Sequence, residues 1–348
     1  MMDKKNDLSL SVIFSFRNEE ENIPELVRRV RAVLQGEIEK EIILNYEMIF
    51  INDDSTDDSR NILIKLAKEK NDIKVINMSR NFGVYPCVFA GLKYSSGDAV
   101  IYMDADLQDP PEIIPKMLQA WKSEETIDVV HTKRIKRLGE SKFRLLLTQV
   151  GYRLLKNISQ IDLPIEVGDF KLLSRRAVNH LSNFKEKNPY TRGLVCWIGF
   201  NQTTINYERE PRFSGNTKFP TYRSFLPNFL NSALISFSAV PLQTASLLGL
   251  FGCLVSIPVF IHVILERISG QAVPGWTAVM VSILFIGSIQ LLAMGVLGLY
   301  VHAIYLEVKG RPNYIIESIF GFEVGSFKDE ITPQSFSQKI QKSNHIEN

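Results

Sequence analysis

Three cysteines, Cys87, Cys196 and Cys253, are spread over 348 residues. They are too few and too scattered for a disulfide framework or a thiolate metal site. Histidine is nearly as scarce, and His180, His262 and His302 stand at no metal-binding spacing. Net charge is close to nil, with 40 Lys and Arg against 38 Asp and Glu, so there is no basic footprint for nucleic acid. Neither G-x-G-x-x-G nor G-x-x-x-x-G-K-[ST] occurs, which leaves a dinucleotide fold or a P-loop unsupported. The chain opens on MMDKKNDLSL, charged and followed by only a short apolar run. That is no secretion leader, and the N-terminal part is expected to stay in the cytosol.

Charge is also missing locally. No Asp, Glu, Lys or Arg stands between Arg223 and Glu266, nor between Arg267 and Glu307, and about 20 apolar residues suffice for a helix to cross a bilayer. Spans are expected at 242–265 and 277–300, joined by a short polar turn around Ser269 to Gly275. Pro227 and Pro241 punctuate the segment before them, so residues 218–241 read as interfacial helices, leaving 307–348 as a cytosolic tail. Arg223, Lys309 and Arg311 flank the pair, against Arg267 alone in the turn, which places both ends inside. Gly249, Gly252, Gly287, Gly295 and Gly298 permit close helix packing, within one hairpin or between copies in a homo-oligomer.

What the first 217 residues contain is alternation. SLSVIFSF (9–16), YEMIFI (46–51), IKVINM (73–78), DAVIYM (98–103) and IDVVHT (127–132) are β-branched apolar runs, separated by helical-period stretches at 20–35, 58–70 and 112–123. This pattern predicts a parallel, Rossmann-like α/β sheet, which binds ligands outside the carboxyl ends of its strands. Polar clusters fall at those ends: Arg17-Asn18-Glu19-Glu20, then Asn52 to Asp57, then Ser79-Arg80-Asn81, then the acids of IYMDADLQDPPE (101–112). One such cluster is often a helix cap; four on one edge point to a site.

The last cluster is the most chemical. In an extended segment Asp104, Asp106 and Gln108 share one side while Ala105 and Leu107 share the other, and two carboxylates with an amide carbonyl suit Mg2+ or Mn2+. The competing reading is an acidic turn entering a helix at Pro110 and Pro111. Asp169, in VGDFKLL, reads either as a turn Asp after Gly168 or as a site residue. The basic run from His131 to Arg144 fits phosphates, anionic lipid or a solvated loop.

The ordered series SRNFG, MDADLQDPPE, GDFKLLSRRAV, RGLVCWIGF, YEREPRFSGNTKFP and a final apolar pair ending EVKGRP resembles the family-2 glycosyltransferases that act on polyisoprenyl phosphates, over about residues 9 to 316. The resemblance implies a GT-A fold in residues 1–217, a divalent metal, a nucleotide-sugar donor, a lipid phosphate acceptor in the membrane and inversion at the anomeric carbon. It further implies Arg17, Asn18, Glu19 and Asp53 at the nucleoside, with Arg80 and Asn81 also substrate-binding. Asp104, Asp106 and Gln108 would sit at metal and diphosphate, Arg134, Arg144, Arg212 and Lys218 at the phosphates, and Asp169 at the sugar or acceptor. Ser15-Phe16-Arg17-Asn18-Glu19 and Asn52-Asp53-Asp54-Ser55 depart from the usual Pro-x-Tyr-Asn-Glu and Asp-Asp-Gly-Ser. The expected activity is transfer of a hexose, UDP-glucose first, to undecaprenyl phosphate at a bacterial inner membrane. A GDP-mannose donor or a non-catalytic scaffold are the alternatives; a processive polysaccharide synthase lacks support because Gln-x-x-Arg-Trp is absent.

Overall fold

The computed structural model describes residues 8–134, 167–187, 191–210 and 275–322, with isolated positions at 213 and between 242 and 261. The first half alternates β1 (Ser9–Phe16), α1 (Ile23–Glu39), β2 (Asn45–Asn52), α2 (Ser59–Glu69), β3 (Ile73–Met78), α3 (Val84–Tyr94), β4 (Ala99–Asp104), α4 (Ile114–Lys122) and β5 (Ile127–Arg134). Then follow β6 (Val167–Ser174), α5 (Arg175–Leu181), α6 (Thr191–Trp197), β7 (Asn201–Tyr207), α7 (Trp276–Val308) and β8 (Ile316–Phe320). The five expected strands are present, each within one residue or two of its apolar run.

Among the described residues eight strands form one sheet in the order β7-β5-β6-β4-β1-β2-β3-β8. The expected parallel pairing is found at the centre, where β1 pairs in parallel with β2 and β4, and β2 with β3, and again at one edge, where β5 pairs in parallel with β7. β6 runs antiparallel to both β4 and β5, and β8 antiparallel to β3. Central strands that are covered on both faces need apolar residues at every position. Thus Leu10, Val12 and Phe14 of β1 face Leu26, Val30 and Leu63 from α1 and α2, while Ile13, Ile49 and Val100 face Val88, Leu92 and Val178 from α3 and α5. In α1, apolar residues at 23, 26, 27, 30 and 34 make the stripe that packs. From β1 the chain moves outward to β2 and β3, then returns to β4 on the other side of β1, so the carboxyl ends of β1 and β4 border the crevice where such sheets bind ligands.

α7 is 33 residues long, about 50 Å at 1.5 Å per residue. Its stretch Phe285–Val308 is long and apolar enough to cross a membrane, and none of it is buried. The expected second span, 277–300, lies inside this helix. Of the expected first span, the positions described between 242 and 261 are helical; its other residues and the segment 218–241 lie outside the described residues.

The assignment of 307–348 to a tail needs correction at 316–320. β8 pairs with β3 through Val75 to Phe320, Ile76 to Ile319 and Asn77 to Ser318. Around the return, Ser79 N donates to Ile315 O at 3.0 Å, Lys187 N to Glu307 Oε1 at 2.7 Å, and Asn313 Nδ2 to Glu186 O at 2.7 Å. The lower end of α7 is thereby tied to the sheet domain.

Candidate active site

The loops after β1 and β2 are sewn to each other. Asn18 Nδ2 donates to Thr56 Oγ1 at 3.1 Å, and Thr56 N to Asn18 Oδ1 at 2.8 Å; Asn18 N donates to Ser55 Oγ at 3.0 Å, Glu19 N to Ser59 Oγ at 2.9 Å and Arg17 Nε to Asp54 O at 3.4 Å. Asp53 reaches the third loop, accepting from Phe82 N at 2.7 Å and Gly83 N at 3.0 Å. Only glycine takes the backbone of Gly83 without strain, φ +93° and ψ 169°. Arg80 lies over the Phe82 ring, 4.1 Å from its centroid, with Asn81 exposed beside it. The expected nucleoside residues are therefore together, at the ends of β1, β2 and β3. Both oxygens of Asp53 are committed to loop amides, although a carboxylate retains further acceptor sites.

A second group lines the ends of β4, β6 and β7. The strand periodicity invoked for Asp104, Asp106 and Gln108 stops at Asp104. The chain turns there, Leu107 takes φ +58°, and Gln108 N donates to Asp106 Oδ1 at 3.2 Å. The alternation survives the turn: Ala105 and Leu107 are buried while Asp104, Asp106 and Gln108 stay partly open. Asn18, Asp54 and Leu107 are three non-glycine residues in the left-handed region, all in these loops, and such conformations cluster where loops are held for function.

Burial, then the charges of Asp106, Asp109 and Asp169, push the Asp104 carboxyl up to about 8. Four acids facing one mouth with partial compensation are the electrostatic environment in which a hard cation is stabilised. Among the described residues no three His, Cys, Asp or Glu side chains gather as a complete metal site; Asp104 and Asp106 are two carboxylates, with the Gln108 amide as third oxygen donor. Glu47 shows the contrast. Buried at the opposite end of the strands, it takes Ser11 Oγ, Ser96 N and Lys74, and these partners outweigh burial and hold its pKa below the usual value.

Four residues that sequence reasoning did not single out complete the group. Asp109, buried, accepts from the Tyr207 hydroxyl and lies 3.6 Å from Arg134 Nη2 and 3.5 Å from Arg209 Nε, while Arg134 Nε donates to Tyr207 Oη at 3.1 Å. Arg134 is thus in place but anchored to Asp109. Arg192, at the start of α6, chelates Asp169 through Nε at 2.9 Å and Nη2 at 2.5 Å. Burial raises the Asp169 pKa, but Arg192, helped by Lys171 and Arg134, more than reverses it and holds the carboxyl at about 2. All four sat inside motifs already noted, Asp109 in MDADLQDPPE, Arg192 in RGLVCWIGF, and Tyr207 and Arg209 in YEREPRFSGNTKFP; nothing local marked which side chains would pair. Arg144, Arg212 and Lys218 lie outside the described residues.

Chemically, this edge offers amide and acidic loops on one side, suited to a nucleoside, and a cation-seeking acid cluster beside anchored arginines on the other, suited to phosphates. Comparison with known proteins agrees. The model of "Glycosyl transferase family 2" matches residues 11–182. An uncharacterized glycosyltransferase of Synechocystis sp. is 37% identical over 91% of this chain and 97% of its own length. The uncharacterized glycosyltransferase YkcC of Bacillus subtilis is 38% identical over 91% and 95%, and the bactoprenol glucosyl transferase of Shigella phage SfX 36% over 89% and 99%. Among solved structures, a mannosyltransferase of Pyrobaculum calidifontis in complex with GDP-Man and Mn2+ is a distant likeness, TM-score 0.41 and 12% identity, covering 88% of each chain. With relatives this similar over nearly its whole length and the family model matching its first half, the chain belongs to glycosyl transferase family 2.

Proposed function

We propose that the protein transfers a hexose from a nucleotide sugar, UDP-glucose first, to a polyprenyl phosphate at the cytosolic face of a bacterial inner membrane. The observation that carries this reading is the acid cluster of Asp104, Asp106 and Asp109 at the switch point, beside the Asp169–Arg192 pair. The bactoprenol glucosyl transferases among its relatives support the acceptor, and the unburied apolar length of α7 supports a membrane setting. Residues 1–217 would form the catalytic domain together with β8, residues 218–241 lie at the interface, and 242–306 form a two-span hairpin.

A lipid monophosphate has a second pKa near ~6, so its oxygen is already largely an anion at neutral pH. It attacks the anomeric carbon as the bond to the donor diphosphate breaks, with inversion, and needs no strong base. Loops 17–19 and 52–57 bind the nucleoside. Asp104, Asp106 and Gln108 would hold Mg2+ or Mn2+, which when bound neutralises charge on the leaving diphosphate. Arg134, kept in place by Asp109 and Tyr207, steadies the same charge, and Arg144, Arg212 and Lys218 are proposed for the phosphates as well.

The test is transfer by the purified chain in vesicles with short-chain polyprenyl phosphate and a panel of nucleotide sugars. The expected result is a UDP-glucose-dependent glycolipid, lost in Asp106→Asn. The wild-type Tm should rise on adding Mn2+, and the same variant should melt like wild type without metal and show no such rise. Full turnover in excess chelator would overturn the metal assignment; no product from any donor would overturn the reading.

A further inference from the structure

Beneath the Asp169–Arg192 pair lies a row of three polar side chains, Lys171, Tyr102 and His131, each with a buried polar atom that makes no hydrogen bond among the described residues. Antiparallel register sets Lys171 of β6 opposite Tyr102 of β4 and His131 of β5, and residues two apart on a strand share a face, so Lys171 lies on the same side of β6 as Asp169. Lys171 is completely buried. Among the described residues its Nζ has no hydrogen-bond partner, nor have Tyr102 Oη and His131 Nδ1, and Nζ is 6.0 Å from the centroid of the Tyr102 ring. His131 brings no charge. Gln202 Nε2 donates to Val195 O at 3.0 Å, which turns its Oε1 to His131 Nε2 at 2.7 Å; Nε2 therefore carries the proton and Nδ1 is bare. Burial, and then Lys171, hold this imidazole at about 4. The Asp169–Arg192 pair above is only partly covered, the two side chains being 21% and 29% exposed.

A buried ammonium without hydrogen bonds costs folding free energy, and an apolar side chain of the same length would not. Sites that break such rules are where function is sought. We propose that Lys171 is a positioning residue for glycosyl transfer: set under Asp169, it adds a second cation to one carboxylate, so the Asp169–Arg192–Lys171 group presents a surplus positive charge to a phosphate at its open side. With Asp169 drawn by two cations, the Arg192 guanidinium is not fully neutralised and retains attraction for an incoming anion. The inference rests on the transferase reading. The anion is a phosphate, supplied by the donor diphosphate or by the acceptor monophosphate.

The groups facing Lys171 are Asp169 on its own strand, Arg192 and Cys196 from α6, Tyr102 from β4 and His131 from β5. Burial brings the Lys171 ammonium down to about 8, against the pull of Asp169.

The experiment compares wild type, Lys171→Met and Lys171→Arg as full-length proteins in vesicles, measuring kcat and KM for each substrate with the other saturating, the pH profile, and Tm. Lys171→Met should melt at or above the wild-type temperature yet lose tenfold or more in kcat/KM. A rise confined to the donor KM assigns the anion to the diphosphate, and one confined to the acceptor KM assigns it to the lipid phosphate; either supports the proposal. Wild-type rate should fall as pH rises through about 8, a limb missing from Lys171→Met and shifted upward in Lys171→Arg, which should regain part of the activity. Wild-type kcat/KM for both substrates in Lys171→Met overturns the proposal. So does a lower Tm with loss of activity and an unchanged alkaline limb, the signature of a purely structural lysine. A wild-type protein that transfers nothing fails the transferase reading instead, and that control separates the two failures.

Discussion

At the scale of single residues, the chelation of Asp169 by Arg192 limits what the carboxylate can do. A group held at about 2 is ionised at every working pH and is a weak proton acceptor. Asp169→Asn should therefore lower kcat through a misplaced arginine without removing a pH limb; steep recovery at high pH with unchanged donor binding would make Asp169 a base after all. Stability gives the sign independently. The folded pKa lies below the unfolded value near ~3.9, so the pair's contribution, about 2.5 kcal/mol, is fully present above pH ~4 and fades as pH falls through about 2. Urea unfolding of wild type and Asp169→Asn should differ by that amount at pH 6 and converge in acid. Asp104 and Asp106 were legible because they stand in one short run. Arg192 and Tyr207 were not, since their carboxylate partners lie 23 and 98 positions away and no periodicity spans such distances.

At the scale of elements, the loops are set by hydrogen bonds that cross the sheet edge. Asn77 Nδ2 donates to Ser318 Oγ at 3.0 Å, Asn52 Nδ2 to Asn77 Oδ1 at 2.9 Å, and Ser55 N to Asn52 Oδ1 at 2.9 Å. A relay thus runs from β8 to the loop assigned to the nucleoside. Gly83 closes the neighbouring loop on Asp53, and although a Cβ there would meet nothing within 4 Å, its backbone belongs to glycine. Gly83→Ala should cost about 1–3 kcal/mol in denaturant unfolding and raise the donor KM with kcat little changed; an unchanged KM would mean that this loop does not shape the donor site. Strands β1 to β5 were readable because each is a β-branched apolar run. β6, β7 and β8 were not. β7 exposes polar residues along most of its length, and β8 is five residues long, so neither carries a pattern that outweighs its surroundings.

For the whole molecule, the sheet is discontinuous in sequence, because β8 returns to it only after α7. A chain ending at Thr217 would lose β8 along with the apolar helices, leaving the β3 edge open beside Ile76 and Met78. Such a chain should aggregate or melt well below a version in which residues 312–322 are rejoined by a short flexible linker; equal melting of the two would show that β8 adds nothing to the domain. Neither version should use long-chain lipid phosphate in vesicles as the full chain does, if the hairpin positions the acceptor.

Order of synthesis gives β8 a further consequence. Between Met78, the last residue of β3, and Ile316, the first of β8, the ribosome must make the whole stretch 79–315, α7 included, and at ~5–20 residues per second that stretch takes on the order of 10 to 50 seconds. For that interval β3 is a nascent edge, competent to recruit any extended segment nearby. Completion of the sheet domain thus waits on emergence of the helix, so translation itself sets the clock for closing that edge, and a ribosome stalled within α7 leaves a half-made sheet whose missing strand has not yet been written.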